Sequence, residues 1–175
     1  MESIGNTSIR RGAVAAALAC LLALALAAAA DAAQRTVRDA KFDTPYLTKK
    51  GRLDITKATA ERRLTRVTHS ITVRAKARPA RNRERPTILI NTRGGRRSAY
   101  EFVVYGSTIF RAPKRGPLEP VASAALVAEK RTWRYRFDLD DVPAVGAGYG
   151  WAAATQKLNG RFADVAPDGG YVGSP

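Results

Sequence analysis

The 175 residues carry 30 Lys and Arg against 15 Asp and Glu, a net charge of +15, with one His and one Cys. One cysteine excludes a disulfide framework, one histidine excludes a His-based metal cage, and the length suits a single hydrophobic core. A positive balance of this size points to anionic partners, and the first segment of the chain decides which ones are within reach.

Arg10 and Arg11 precede an almost unbroken Ala/Leu run from Ala13 to Ala30, followed by small residues through Asp31-Ala32-Ala33. A positive n-region, an apolar h-region and a small-residue cleavage site describe a secretory signal peptide over residues 1–33. The run is Ala-rich and close to the roughly 18-residue lower limit of a bilayer span, so a retained anchor is the weaker reading. Cys20 lies inside the h-region with ten more apolar residues after it, and so reads as part of the leader. The mature chain is expected to be secreted or envelope-associated, with no membrane span, no Cys and no Met.

Residues 34–52 have mixed charge and no period, and read as an N-terminal lead-in. A strand-like segment opens at "LDITKATAE" (53–61). Val67, His69, Ile71, Val73 and Ala75 then share one parity, with Arg66, Thr68, Ser70, Thr72 and Arg74 on the other. Period two with β-branched residues is the signature of a half-buried strand. The basic stretch after it, "RAKARPARNRERP", has two prolines and no apolar period, and reads as an exposed loop.

"TILIN" (87–91) predicts a short strand ended by the turn "TRGGRR". The segment "SAYEFVVYGSTIFRA" (98–112) predicts one or two strands around Gly106. "VASAALVAEK" (121–130) fits helix or strand. In "TWRYRFDLDDV" Trp133, Tyr135, Phe137 and Leu139 alternate inward against Arg134, Arg136, Asp138 and Asp140 outward. "GYGWAAATQ" (148–156) is another strand, and "RFADVAPDGGYVGSP" a turn-rich ending. Seven or eight short strands without helical period point to an all-β fold: a single antiparallel β-sandwich, jelly-roll-like, over residues 53–172, with 173–175 as a tail.

The order "LDITKATAE", "LTRVTHSITVRA", "TILINTRGGRRSAYEFVVYGSTIFRA", "YRFDLDDV", "WAAATQKLNGRFADVAPDGGYV" resembles secreted bacterial β-sandwich domains of the DOMON and carbohydrate-binding-module family 9 type. The likeness is to the branch found in Ala/Arg-rich actinobacterial proteomes and covers residues 53–172. It implies a sandwich that binds glycan by stacking sugar rings on exposed aromatics; the candidates are Tyr100, Tyr105, Trp133, Tyr149, Trp151 and Tyr171, with Trp151 foremost. Two departures limit what carries over. The turn where relatives hold a cation on several Asp is "NTRGGRR" here, which argues against a metal. The Met/His axial pair that holds haem in some relatives is missing, because His69 stands alone, so no cofactor is expected. Asp164 and Asp168 of "DVAPDGG" remain weak metal candidates, since Asp before Gly-Gly is ordinary turn chemistry.

No Gly-x-Ser-x-Gly stretch or mature cysteine offers a nucleophile, and His69 reads as a hydrogen-bonded histidine at the edge of the core. Asp138 and Asp140 beside Arg134 and Arg136 read as cross-strand ion pairs on a solvated face. A glycan-active enzyme built on Asp138, Asp140, Asp164 or Asp168 is the least favoured class, so no catalytic residue is assigned.

The basic surface is the most informative feature. Arg66 and Arg74 on one strand and Arg134 and Arg136 on another point away from the apolar parity, and Arg93, Arg96 and Arg97 lie in the turn after "TILIN". If these strands share one sheet, the cations form a continuous patch suited to bidentate contacts with carboxylate or phosphate. An exported chain does not meet chromosome or ribosome, so the expected partner is an anionic envelope polymer or extracellular glycan, with no specific nucleic acid. The alternatives are an interaction module for another secreted protein, built on the Tyr/Trp strands, and a basic surface that serves solubility alone.

Overall fold

The computed structural model describes residues 33–39, 54–74, 86–93, 100–143, 148–156, 162–168 and 170–175. All of the expected leader except Ala33 lies outside them, as do Arg96, Arg97 and the basic stretch 75–85 that the sequence suggests is a loop. No helix among the described residues is long and apolar enough to cross a membrane.

Among the described residues, twelve strands form two antiparallel sheets. The chain first makes β1 (Ala33–Arg38), β2 (Ile55–Arg63) and β3 (Arg66–Val73), then β4 (Pro86–Asn91), β5 (Phe102–Tyr105), β6 (Thr108–Arg111) and β7 (Glu119–Ser123). It continues through β8 (Ala125–Glu129), β9 (Thr132–Asp138) and a 3-10 turn at Leu139–Asp141 to β10 (Gly150–Gln156), β11 (Phe162–Ala166) and β12 (Val172–Gly173). One sheet has the order β1-β2-β3-β9-β8; the other runs β11-β10-β4-β5-β6-β7, with β12 also on β10. Successive meanders therefore alternate between sheets, and the switch from β7 to β8 is made at the single buried residue Ala124.

The alternation that marks β3 and β9 in the sequence is what the fold buries. Val67, His69, Ile71 and Val73 on β3, with Trp133, Tyr135 and Phe137 on β9, face Ile88 and Ile90 of β4, Phe102 and Val104 of β5, and Trp151 and Ala153 of β10. Each large apolar side chain so enclosed contributes about 1.5–3 kcal/mol. β4 alternates inward and outward yet is buried along its whole length, because Leu89 joins Val103, Ala152 and Ala154 in a second cluster on the outer face of its sheet.

Polar ties cross between the sheets. Tyr135 donates its hydroxyl to the carbonyl of Pro86, and the Ile55 N–H donates to Asp164 Oδ2 at 2.6 Å. His69 Nε2 meets the Tyr149 hydroxyl at 2.8 Å. In a low-dielectric interior such bonds are strong and costly to leave unmade, so they set the register of one sheet on the other.

Both ends of the chain's described part add to the sandwich. The start of the lead-in contributes a strand, β1, which pairs with β2 over all six of its residues. It lies at the edge of its sheet and packs only Val37 against the core, so backbone hydrogen bonds hold it and its side chains show no period. The tail 173–175 is also engaged, since Gly173 pairs with Gly150 and the Ser174 N–H donates to the Tyr149 carbonyl at 2.7 Å. Between them "RFADVAPDGGYVGSP" holds β11 and β12, two pieces of one interrupted edge along β10. A β-carbon on Gly150 would stand 2.9 Å from Tyr171 Cβ, which explains the glycine that opens β10. "VASAALVAEK" resolves as β7 and β8: its alanines suit helix, but the open edges of both sheets take them instead.

Candidate functional site

β3 and β9 are neighbours in register, with Thr68 opposite Arg136, Ser70 opposite Arg134 and Arg66 opposite Asp138. β2 flanks the other side, placing Glu61 opposite Thr68 and Arg63 opposite Arg66. Residues directly opposite on one face have β-carbons about 4.5–5.5 Å apart, so these side chains form a compact group on the outer face of the five-stranded sheet. Between them lies a groove of about 420 Å³ lined by Glu61, Arg63, Arg66, Thr68, Ser70, Arg134 and Arg136. The hydroxyls of Thr68 and Ser70 are half-buried at its floor, and the four guanidinium groups stand exposed along its sides.

Two of the four cations are already paired. Arg63 Nε lies 2.9 Å from Glu61 Oε1, and Arg134 Nη1 lies 2.5 Å from Glu129 Oε2. Arg66 and Arg136 make no ion pair among the described residues. Asp138, expected beside Arg134 and Arg136, is engaged elsewhere: it accepts the Thr65 hydroxyl at 3.0 Å and the Asp140 N–H at 3.3 Å, capping the 3-10 turn. Backbone N–H groups freed at the start of that turn attract the carboxylate away from the strand face. The ion pairs expected of Asp138 on this face are thus replaced by a cap. Two uncompensated guanidinium groups beside hydroxyl donors can hold a carboxylate, sulfate or phosphate with charge-assisted hydrogen bonds.

The remaining expected cations do not join this group. Arg74 follows β3 and turns to the fully buried Asp54, with Nε 2.6 Å from Oδ2. Its role is to neutralise a buried carboxylate. Arg93 follows β4 in the other sheet and lies 3.4 Å from Glu101 Oε1, so the continuous patch from Arg66 to Arg93 does not exist. Arg96 and Arg97 fall outside the described residues. Thr68, Ser70 and Arg63 complete the groove without having been singled out: parity along β3 places Thr68 and Ser70 on the Arg66 face, while Arg63 reaches it only through the pairing of β2 with β3.

Trp151, the foremost aromatic candidate, is fully buried, as β10 lies between β4 and β11 and turns this residue inward. It cannot stack on a ligand. His69 meets it edge-on at 5.0 Å and stacks on Phe137 at 5.8 Å, which places the ring in the middle of the core instead of at its edge. Burial holds the His69 pKa down at about 3, so the imidazole is neutral. Trp133 and Tyr149 are buried too, and burial raises the phenol of Tyr149 well above its usual range. Tyr100, Tyr105 and Tyr171 are half-buried against the second cluster, on the outer face of the seven-stranded sheet. Burial raises the Tyr171 phenol as well, with Glu101 and Tyr100 adding to the effect.

Asp164 is buried in β11, with Oδ2 accepting the Ile55 N–H and Oδ1 the Val165 N–H at 3.0 Å. Asp168 is exposed in the following turn. The two weak metal candidates therefore occupy different environments, and Asp164 is occupied in joining the sheets. No cluster of three or more His, Cys, Asp or Glu is gathered among the described residues. No family model, no curated protein and no solved structure matches the chain.

Proposed function

We propose that this chain is an exported, non-catalytic β-sandwich that binds an anionic envelope polymer or extracellular glycan along the groove of the five-stranded sheet. The observation that carries this reading is the pair Arg66 and Arg136, two cations with no ion-pair partner among the described residues, set over the Thr68 and Ser70 hydroxyls. The leader-like start of the sequence and the likeness to secreted DOMON and carbohydrate-binding-module family 9 domains support it. Revised from the sequence, the binding set is Arg63, Arg66, Thr68, Ser70, Arg134 and Arg136. A guanidinium presents a planar fork to a carboxylate, and hydroxyls on a flat sheet suit successive oxygens of an extended polymer.

Binding of heparin and of polygalacturonate, measured from about 0.05 to 0.3 M salt, tests the proposal. Affinity is expected to fall steeply with salt, and Arg66→Glu with Arg136→Glu is expected to weaken it by at least about tenfold at low salt. Binding that resists salt and survives the double reversal would instead favour an interaction module for another secreted protein.

A further inference from the structure

A second cavity, of about 900 Å³, opens at one end of the seven-stranded sheet, where β4 finishes, β5 begins and β6 finishes. That volume lies at the upper end of the roughly 300–1,000 Å³ usual for small-molecule sites. Its base is apolar: Phe102 belongs to the main core, and Ala112, Pro113, Leu118 and Pro143 continue the wall, with the half-buried Tyr100 at one side. Leu118 is 47% exposed, so a large apolar side chain lines the cavity and meets water.

Its rim is cationic. Glu101 is the acidic side chain that lines it, and that carboxylate is engaged: Oε2 accepts the Thr92 N–H at 2.8 Å, and Oε1 faces Arg93 Nε at 3.4 Å. Arg111 and Lys114 are exposed and make no ion pair among the described residues. Two uncompensated cations above an apolar base complement a molecule with an anionic head and a hydrophobic body. A plain polyanion would leave the Leu118 wall wet, and a neutral apolar ligand would leave the cations without a partner.

We infer that this cavity is a separate binding site for a small amphipathic anion, a carboxylate or phosphate monoester carried on an apolar chain, with Arg111 and Lys114 holding the head and Leu118 and Phe102 covering the body. The site shares no residue with the groove of the other sheet and does not depend on what the groove binds.

Calorimetric titration with dodecyl phosphate below its micelle concentration tests this, with inorganic phosphate, dodecanol and anionic vesicles as comparison arms. Saturable binding of dodecyl phosphate is expected, with inorganic phosphate and dodecanol each weaker by about tenfold or more. Arg111→Glu with Lys114→Glu should abolish it, and Leu118→Ser should weaken it several-fold, while Arg66→Glu with Arg136→Glu leaves it unchanged. All of these positions are exposed, and unchanged circular dichroism would certify that each variant is folded. The inference is overturned if dodecyl phosphate fails to saturate, if inorganic phosphate binds as well, or if only vesicles bind. Equal loss in the groove double variant and the rim double variant would overturn it too.

Discussion

His69 Nε2 lies 2.8 Å from the Tyr149 hydroxyl, a contact that joins β3 of one sheet to the entry of β10 in the other, while Nδ1 has no hydrogen-bond partner among the described residues. A neutral ring fits that setting and an imidazolium does not. Between the ordinary pKa of 6.5 and the folded value of about 3, the unfolded chain binds a proton that the folded chain refuses. Stability is therefore expected to fall as pH drops through this window, by up to about 1.4 kcal/mol per pH unit from this residue. Urea unfolding between about pH 6.5 and 5, above the range where carboxylates dominate, isolates the effect. His69→Gln should flatten the dependence there; an undiminished slope in the variant would show that the ring is not the source.

Asp164 ties one sheet to the other and Arg74 neutralises a buried carboxylate beside β2, and both should behave as structural residues. Asp164→Ala removes an acceptor from the buried Ile55 N–H and is expected to cost about 1–3 kcal/mol, with Asp164→Asn costing less. Arg74→Ala removes the guanidinium paired with the buried Asp54 carboxylate and should cost about 3 kcal/mol. Chemical denaturation reads both. If Asp164 were instead a cation ligand, millimolar Ca²⁺ would raise the melting temperature of the wild type and leave Asp164→Asn unmoved.

Both tryptophans are buried, Trp133 at 8% exposure and Trp151 at 0%. Native emission is expected to be blue-shifted and poorly quenched by acrylamide, and saturation with a bound glycan should leave the spectrum in place. Trp151→Ala should destabilise the fold by about 3–5 kcal/mol through the cavity it leaves. A large spectral shift on glycan addition would restore Trp151 as a contact residue.

Glu129 competes with any anionic ligand for Arg134, to which it is held at 2.5 Å. The pair is substantially exposed, so breaking it should change stability little. Glu129→Gln is expected to free the guanidinium and to move elution from heparin to higher salt. Elution at lower salt would mean that Glu129 positions Arg134 for binding instead of occupying it.

Local pattern made much of this legible in advance. The period-two runs from Val67 to Val73 and from Trp133 to Phe137 depend only on which side of a pleated strand each side chain leaves, and both are buried as expected. The strands β1, β11 and β12 escaped notice because edge strands rely on backbone pairing, which leaves little imprint on side-chain order.

Sequence alone determined the alternating strands β3 and β9, their inward parity and their Arg-bearing outer faces, because these follow from neighbours along the chain. Tertiary structure decided which charges remain available. Pairing β9 with β3 brought Arg66 and Arg136 together, the turn at Leu139–Asp141 drew Asp138 away from them, and the buried Asp54 claimed Arg74. Each outcome turns on distances between residues 20 to 73 positions apart or on a backbone turn beyond the strand, and alternation carries no record of either.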